Sequence, residues 1–387
     1  MLFSISRRSG SSRASWFRGK KSMSIQYNRR DLMRGLVGGA VSLALAPTVF
    51  SWPGPPPGKI ALRFNENPYC PSASALKAAA NAAAMGAYYA VSVPGVLLNT
   101  IAGRNDLALE NMVMSSGSNE ALQAAFVAWG KKGRIVLPSL TYSDHLAYSR
   151  RMGVELVSVP LKEDLSIDLD RIAAAVDDSV SLVYICNPNN PTGLTLDGDV
   201  LRDFCRSVGR KAVVVVDEAY NELTDRPDYT SMVDLVREDE NVIVMRTFSK
   251  IFGMAGMRVG YGMARPDLAK TIAGHVMAWP NVVGLAAAHA SYTDDEFIKF
   301  SRGKIHEGRK MVNDTFRENG IEPLPSQANF VYADIGRNAT EFQKLMAERN
   351  ILIRGSFDGY PNYTRVSMGK LEDIEVFQQV FTEVFNA

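Results

Sequence analysis

Lys250 stands in Thr247-Phe248-Ser249-Lys250, just past the apolar run Asn241-Val242-Ile243-Val244-Met245, and Arg258 follows inside Gly253-Met254-Ala255-Gly256-Met257-Arg258-Val259-Gly260-Tyr261. The run reads as a buried strand. Beyond it come hydroxyls, an amine and glycines, a set suited to a phosphate and an aldehyde. An amine that attacks a carbonyl must be deprotonated, and a fixed cation such as Arg258 helps to lower its pKa. The chemistry implied is Schiff-base formation, although a Ser-Lys pair at a strand end is, taken alone, usually a solvated loop.

Two upstream motifs sharpen this. Leu182-Val183-Tyr184-Ile185-Cys186 reads as a buried strand ending in Asn187-Pro188-Asn189-Asn190-Pro191-Thr192-Gly193, whose prolines and glycine fix an irregular turn around Asn190. Ala212-Val213-Val214-Val215-Val216 delivers Asp217-Glu218-Ala219-Tyr220 at its end, where a buried carboxylate is costly without a cation to pair with it. Open α/β sheets collect ligands at the carboxyl ends of their strands, and amide, acid, phenol and lysine all fall there. A phosphate cup is also legible. Met112-Val113-Met114 reads as a strand, and Ser115-Ser116-Gly117-Ser118-Asn119-Glu120 leads into an apolar helix from Ala121 to Trp129. Amides at a helix N-terminus, with small hydroxyls, bind a phosphate dianion, and the same residues also read as an ordinary N-cap with a first-turn acid.

Together and in this order, these motifs resemble those of the fold-type I pyridoxal-phosphate aminotransferases (class I/II), and among them the histidinol-phosphate aminotransferase group, over residues 59–387. The resemblance implies pyridoxal 5'-phosphate as cofactor. It implies Lys250 as the lysine that forms the Schiff base and shuttles the proton, and Asp217 as the partner of the pyridine nitrogen, which makes the ring an electron sink. Asn190 and Tyr220 would bind the phenolic oxygen. Ser118, Asn119, Thr247, Ser249 and Arg258 would hold the phosphate, and Tyr142 would stack on the ring. Arg365, in Tyr363-Thr364-Arg365-Val366-Ser367, resembles the arginine that grips the substrate's anionic group through a bidentate fork. Arg354 resembles a second, phosphate-end arginine, and Tyr69, in Asn65-Glu66-Asn67-Pro68-Tyr69, would line the substrate mouth. The family's Arg-Tyr-Pro-like element is altered here to Gly86-Ala87-Tyr88-Tyr89-Ala90-Val91-Ser92-Val93-Pro94. Tyr89 is the better match for the tyrosine that reaches the neighbouring subunit's phosphate in a homodimer.

The supporting fold is expected to be α/β. Strand-like and helix-like runs alternate from about 111 to 263, which implies a mostly parallel sheet sandwiched by helices. A long helix from about 293 then leads into a smaller α+β C-terminal domain. The expected divisions are a leader (1–46), a Pro-rich linker (47–58), an N-terminal arm (59–100), a large cofactor-binding domain (101–292) and the small domain (293–387).

The leader carries Asn28-Arg29-Arg30-Asp31-Leu32-Met33-Arg34 before a mildly hydrophobic run ending in Ala44-Leu45-Ala46. Paired arginines, a short apolar region and a small-x-small end fit a twin-arginine signal, and the run is too short for a stable membrane span. A start at Met23, with the protein remaining cytoplasmic, is the alternative. The leader holds nine Lys/Arg and one acid, a surplus of eight; subtracting this from the net charge of +2 leaves −6 for the rest. A mildly acidic body gives no reason to invoke nucleic acid. Three cysteines and four scattered histidines offer neither a metal site nor a disulfide framework.

An aminotransferase acting between an amino compound and a 2-oxo acid such as 2-oxoglutarate is the leading reading. A decarboxylase or lyase on the same scaffold, or a non-catalytic exported binder of amino compounds, is the alternative. The resemblance points to histidinol phosphate, while the leader points outside the cytoplasm. That combination favours an amino acid with an aromatic, imidazole or otherwise bulky side chain.

Overall fold

A computed structural model describes residues 54–387; the leader, and the linker as far as residue 53, lie outside the described residues. The strands among the described residues are β1 (Ile60–Leu62), β2 (Met112–Ser115), β3 (Arg134–Pro138), β4 (Leu156–Val159), β5 (Val180–Cys186), β6 (Val213–Asp217), β7 (Val242–Thr247), β8 (Gly260–Ala264), β9 (Phe330–Asp334), β10 (Ile351–Ile353) and β11 (Tyr363–Ser367).

Seven of them form one sheet in the order β2-β8-β7-β6-β5-β3-β4. The strands from β7 to β4 pair in parallel, and β8 runs antiparallel between β7 and β2. Central strands that are apolar along their whole length belong in a sheet covered on both faces. Side chains alternate across the sheet, so Val214 and Val216 enter one core while Val213 and Val215 enter the other. Helices Ser118–Gly130 and Pro266–Ala273 cover the second face, and helix Gly198–Gly209 covers the first. This is the mostly parallel, helix-flanked sheet expected from the sequence.

The smaller lobe is built on β9, antiparallel to β11, and β10, parallel to β1. Arg354 and Arg365 exchange backbone N–H···O bonds of 3.0 and 3.2 Å, which joins β10 to β11. Helix Leu371–Phe385 closes this lobe through Phe381, whose ring meets Phe316 at 5.1 Å and Phe342 at 5.3 Å. The sequence reading put residues 59–100 in an arm, yet β1 at its start pairs in register with β10, Ile60 opposite Ile351. Residues 327–329 precede β9, and the Gln327 N–H donates to the Gly193 carbonyl at 2.8 Å.

The acid that burial would penalise at the end of β6 finds its cation at the neighbouring position. Glu218, fully buried, accepts from Arg246 Nε at 3.0 Å and Nη2 at 2.8 Å, from Ser231 Oγ at 3.0 Å and from the Met232 N–H at 2.6 Å. Removing the cation leaves a buried charge unpaired, so Arg246→Met is expected to lower unfolding stability by about 3–5 kcal/mol in urea titration; a loss under ~1 kcal/mol would show that Glu218 is held by its neutral donors alone.

Candidate active site

A cleft of about 650 Å³ opens at the carboxyl ends of the central strands and against the smaller lobe. Twelve of the fourteen positions singled out from the sequence line it. Ser118, Asn119, Tyr142, Asn190, Asp217, Tyr220, Thr247, Ser249, Lys250, Arg258, Arg354 and Arg365 line it, while Tyr89 lies on the exposed surface. Tyr69 is the correction. Its ring packs edge-on against Phe300 at 5.4 Å, and it does not line the cleft. Its motif reaches the site through Asn65 instead. Asn65 takes a left-handed backbone conformation, φ 57°, which asparagine tolerates. That turns its carbonyl to Lys250 Nζ at 3.1 Å and its side-chain amide to the Tyr220 hydroxyl at 3.1 Å.

Lys250 is held 5.2 Å from the centre of the Tyr220 ring. Burial, reinforced by the charge of Arg365, pulls its amine down to about 8, so a useful neutral fraction exists near neutral pH. Asp217 behaves in the opposite sense. Its carboxylate accepts from the Tyr184 hydroxyl at 3.0 Å and the Ala219 N–H at 3.2 Å, and burial pushes it up to about 6. Asp217 forms no ion pair among the described residues. Tyr220 also receives a hydrogen bond from Asn190 Nδ2 at 3.3 Å, and Asn190 Oδ1 in turn accepts from Arg365 Nη1. Burial raises the phenol of Tyr220 and that of Tyr142.

The phosphate loop is shaped by two close approaches. Gly117, at φ 83°, caps helix Ser118–Gly130, and a Cβ there would stand 2.2 Å from Arg258 Nη2. A Cβ on Gly260 would stand 2.2 Å from the Ser118 nitrogen. Glycine is therefore required at both positions for the loop, β8 and Arg258 to meet. Arg258 donates to Ser249 Oγ at 3.3 Å and has no carboxylate partner among the described residues. Glu120 serves the loop from below, accepting from the Ser116 N–H at 2.7 Å and from the Ala278 N–H at 2.8 Å.

This donor set fits pyridoxal phosphate. Among the described residues, the buried acid lacks the cation that a protonated ring nitrogen would supply, the Arg258 guanidinium beside a helix N-terminus lacks a carboxylate partner, and the Lys250 amine is lowered toward its nucleophilic form. Asn65, Tyr184 and His145 were not singled out from the sequence. A tyrosine in the middle of a fully apolar strand was a signal for the second, since a buried phenol seeks an acceptor. His145 is buried between Phe126 and Tyr184, both ring nitrogens without a hydrogen-bond partner among the described residues, and burial lowers it to about 3.

Sheet topology and the arrangement of lysine, acid and phosphate loop define a pyridoxal-phosphate-dependent transaminase. The chain belongs to the aminotransferase class I and II family, whose profile matches residues 57–381. It is 34% identical over 337 residues to a histidinol-phosphate aminotransferase of Brevibacillus brevis, covering 84% of this chain and 90% of the relative. Identity to the enzyme of that name from Akkermansia muciniphila is 35% over 331 residues, covering 83% and 90%. Among solved structures, the Sinorhizobium meliloti histidinol-phosphate aminotransferase in complex with pyridoxal-5'-phosphate superposes with a TM-score of 0.75 at 28% identity, covering 85% of this chain and 91% of that one.

Asp217 gives a pH signature for the cofactor-free protein. Its folded pKa of about 6 lies above the ordinary 3.8, so the buried charge costs stability above pH 6, and the cost fades as pH falls from 6 toward 4. Asp217→Asn is therefore expected to raise apoprotein stability at pH 8 by up to about 3 kcal/mol, with little gain at pH 4. Thermal unfolding at the two pH values checks this; a gain independent of pH would remove the charge from the explanation.

Proposed function

We propose that this transaminase moves an amino group between an amino acid or amine and a 2-oxo acid such as 2-oxoglutarate, with Lys250 as the proton-transfer base. Candidate donors are histidinol phosphate and aromatic or bulky amino acids. The observation that carries the reading is Lys250 itself: partly buried at the cleft, lowered to about 8, and among the described residues hydrogen-bonded only to the Asn65 carbonyl. Bound pyridoxal phosphate supplies an aldehyde for the amine and an electron-withdrawing ring. Arg365 grips the substrate's anionic group and so sets the α-carbon near Lys250 Nζ, which takes the α-proton and returns it. Asp217 would hold positive charge at the ring nitrogen, while Tyr220 and Asn190 would bind the phenolic oxygen. Ser118, Asn119, Thr247, Ser249 and Arg258 anchor the phosphate, and Tyr142 covers the ring.

The reading extends to a homodimer. Tyr89 is 89% exposed and meets Trp279 edge-on at 6.2 Å, with Met277 also exposed nearby in sequence. Apolar surface of this kind favours a partner, and a second copy would bring Tyr89 to its neighbour's phosphate cup. Export through the twin-arginine machinery rests on the leader motif, outside the described residues. Such export moves folded proteins and is compatible with a cofactor loaded beforehand.

Visible absorption of the protein with pyridoxal phosphate tests the central claim. A band that is lost with glutamate, phenylalanine, histidine or histidinol phosphate, and restored by a 2-oxo acid, is expected. Lys250→Ala should abolish turnover, and borohydride should mark Lys250 with a phosphopyridoxyl group in the wild type. A band that forms but never cycles would indicate decarboxylation or elimination. For the dimer, Tyr89→Phe is expected to weaken cofactor affinity by about 1–2 kcal/mol, the range of one charge-assisted hydrogen bond, as read by equilibrium dialysis; unchanged affinity would remove Tyr89 from the phosphate.

A further inference from the structure

Two amide side chains end on the same phenol oxygen. Asn65 Nδ2 donates to the Tyr220 hydroxyl at 3.1 Å, and Asn190 Nδ2 does so at 3.3 Å. A phenol offers two lone pairs and one proton, so these donors fill its acceptor capacity, and the proton itself has no acceptor among the described residues. Burial raises the phenol, which keeps that proton in place near neutral pH. Tyr220 lines the cleft, and its ring is held edge-on against Phe330 at 5.3 Å. Rotation of the hydroxyl is the freedom that remains, and both amides turn its proton toward the cleft.

Each amide is in turn oriented by a neighbour, since a half-turn exchanges the two ends of an amide and only the partners decide between them. A guanidinium can only donate, so the Asn190 atom facing Arg365 Nη1 is Oδ1. For Asn65 the deciding group is Ser367, the last residue of β11. The Asn65 N–H donates to Ser367 Oγ at 2.9 Å, and the Ser367 hydroxyl gives its own proton to Asn65 Oδ1 at 2.7 Å. Reversing the amide would strand the serine proton and place Oδ1 against Tyr220, where it would capture the phenol's proton. Asn65 and Ser367 are each only 2% exposed, so water does not take over either task.

We propose that Ser367 is a positioning residue for the reaction: through Asn65 it fixes the direction of the Tyr220 proton, aiming it into the cleft where the cofactor's phenolic oxygen would lie. Ser367 does not itself line the cleft, so its effect passes through Asn65. The inference rests on the assignment of Tyr220 to that oxygen. Side chains two apart share one face of a strand, so β11 orients both amides at once, Arg365 setting Asn190 and Ser367 setting Asn65.

Equilibrium dialysis of the full-length protein, stripped of cofactor, tests this without turnover. The ligands are pyridoxamine 5'-phosphate and its 3-deoxy analogue, which lacks the phenolic oxygen. The wild type is expected to favour the oxygen-bearing ligand by on the order of 10-fold, the range of one hydrogen bond to a polarised oxygen. Ser367→Ala should cut that preference to about 3-fold or less, and Ser367→Thr, which keeps the hydroxyl on a residue suited to a strand, should retain it. Asn65→Asp provides a second variant. Aspartate tolerates the left-handed backbone of this position, but its carboxylate cannot donate and would take the Tyr220 proton, so the preference should again fall. A merely structural Ser367 would weaken both ligands equally; that result, or a preference left unchanged by Ser367→Ala, would overturn the proposal. A preference that falls in both variants beside a failed transamination assay would count against the reaction and leave the positioning role standing.

Discussion

The site depends on holding an acid and an amine largely out of water, which raises the acid and lowers the amine. Among the described residues, Asp217 is buried with a phenol and an amide N–H and forms no ion pair, and Lys250, partly buried, donates to a carbonyl and forms no ion pair. A folded protein tolerates such groups only where the surrounding packing is strong enough to impose them. The central strands supply that packing. β5, β6 and β7 are largely apolar and almost wholly buried, which anchors the residues at their ends. The cofactor then completes the electrostatics, which makes its binding a repair of the apoprotein as well as the start of chemistry.

Adjacent residues divide these roles. Glu218, next to Asp217, points to the other side of the chain and finds Arg246. The same strand end therefore delivers one carboxylate that is neutralised by the protein and one that is not. Exchanging these two environments would give a more stable body and an inert site.

Much of this was legible in the sequence because the signals are local. Strand ends are marked by the switch from valine-rich runs to Asn190, Asp217 and Lys250, and the phosphate loop by glycine and serine before an apolar helix. What was missed depends on long-range pairing. Tyr69 looked suited to the substrate mouth, but the left-handed turn at Asn65 sends that residue inward and leaves Tyr69 against Phe300. Tyr184 is hidden among the apolar residues of β5, and its tie to Asp217 exists only once β5 and β6 lie side by side in register. The place of β1 beside β10 could not be read from either segment, each of which is three residues long.

That last pairing also orders events in time. During synthesis the central sheet can close before β10 has been made, whereas Ile60 has no partner until Ile351 emerges. Arg63 and Asn65 are carried by the residues just after β1, so they take their stations beside Lys250 only when this first strand finds one of the last. Contacts so distant along the chain are slow to form. Docking of β1 on β10 is therefore the step that completes the catalytic centre, because a chain lacking β10 lacks the strand partner that brings Asn65 to Lys250.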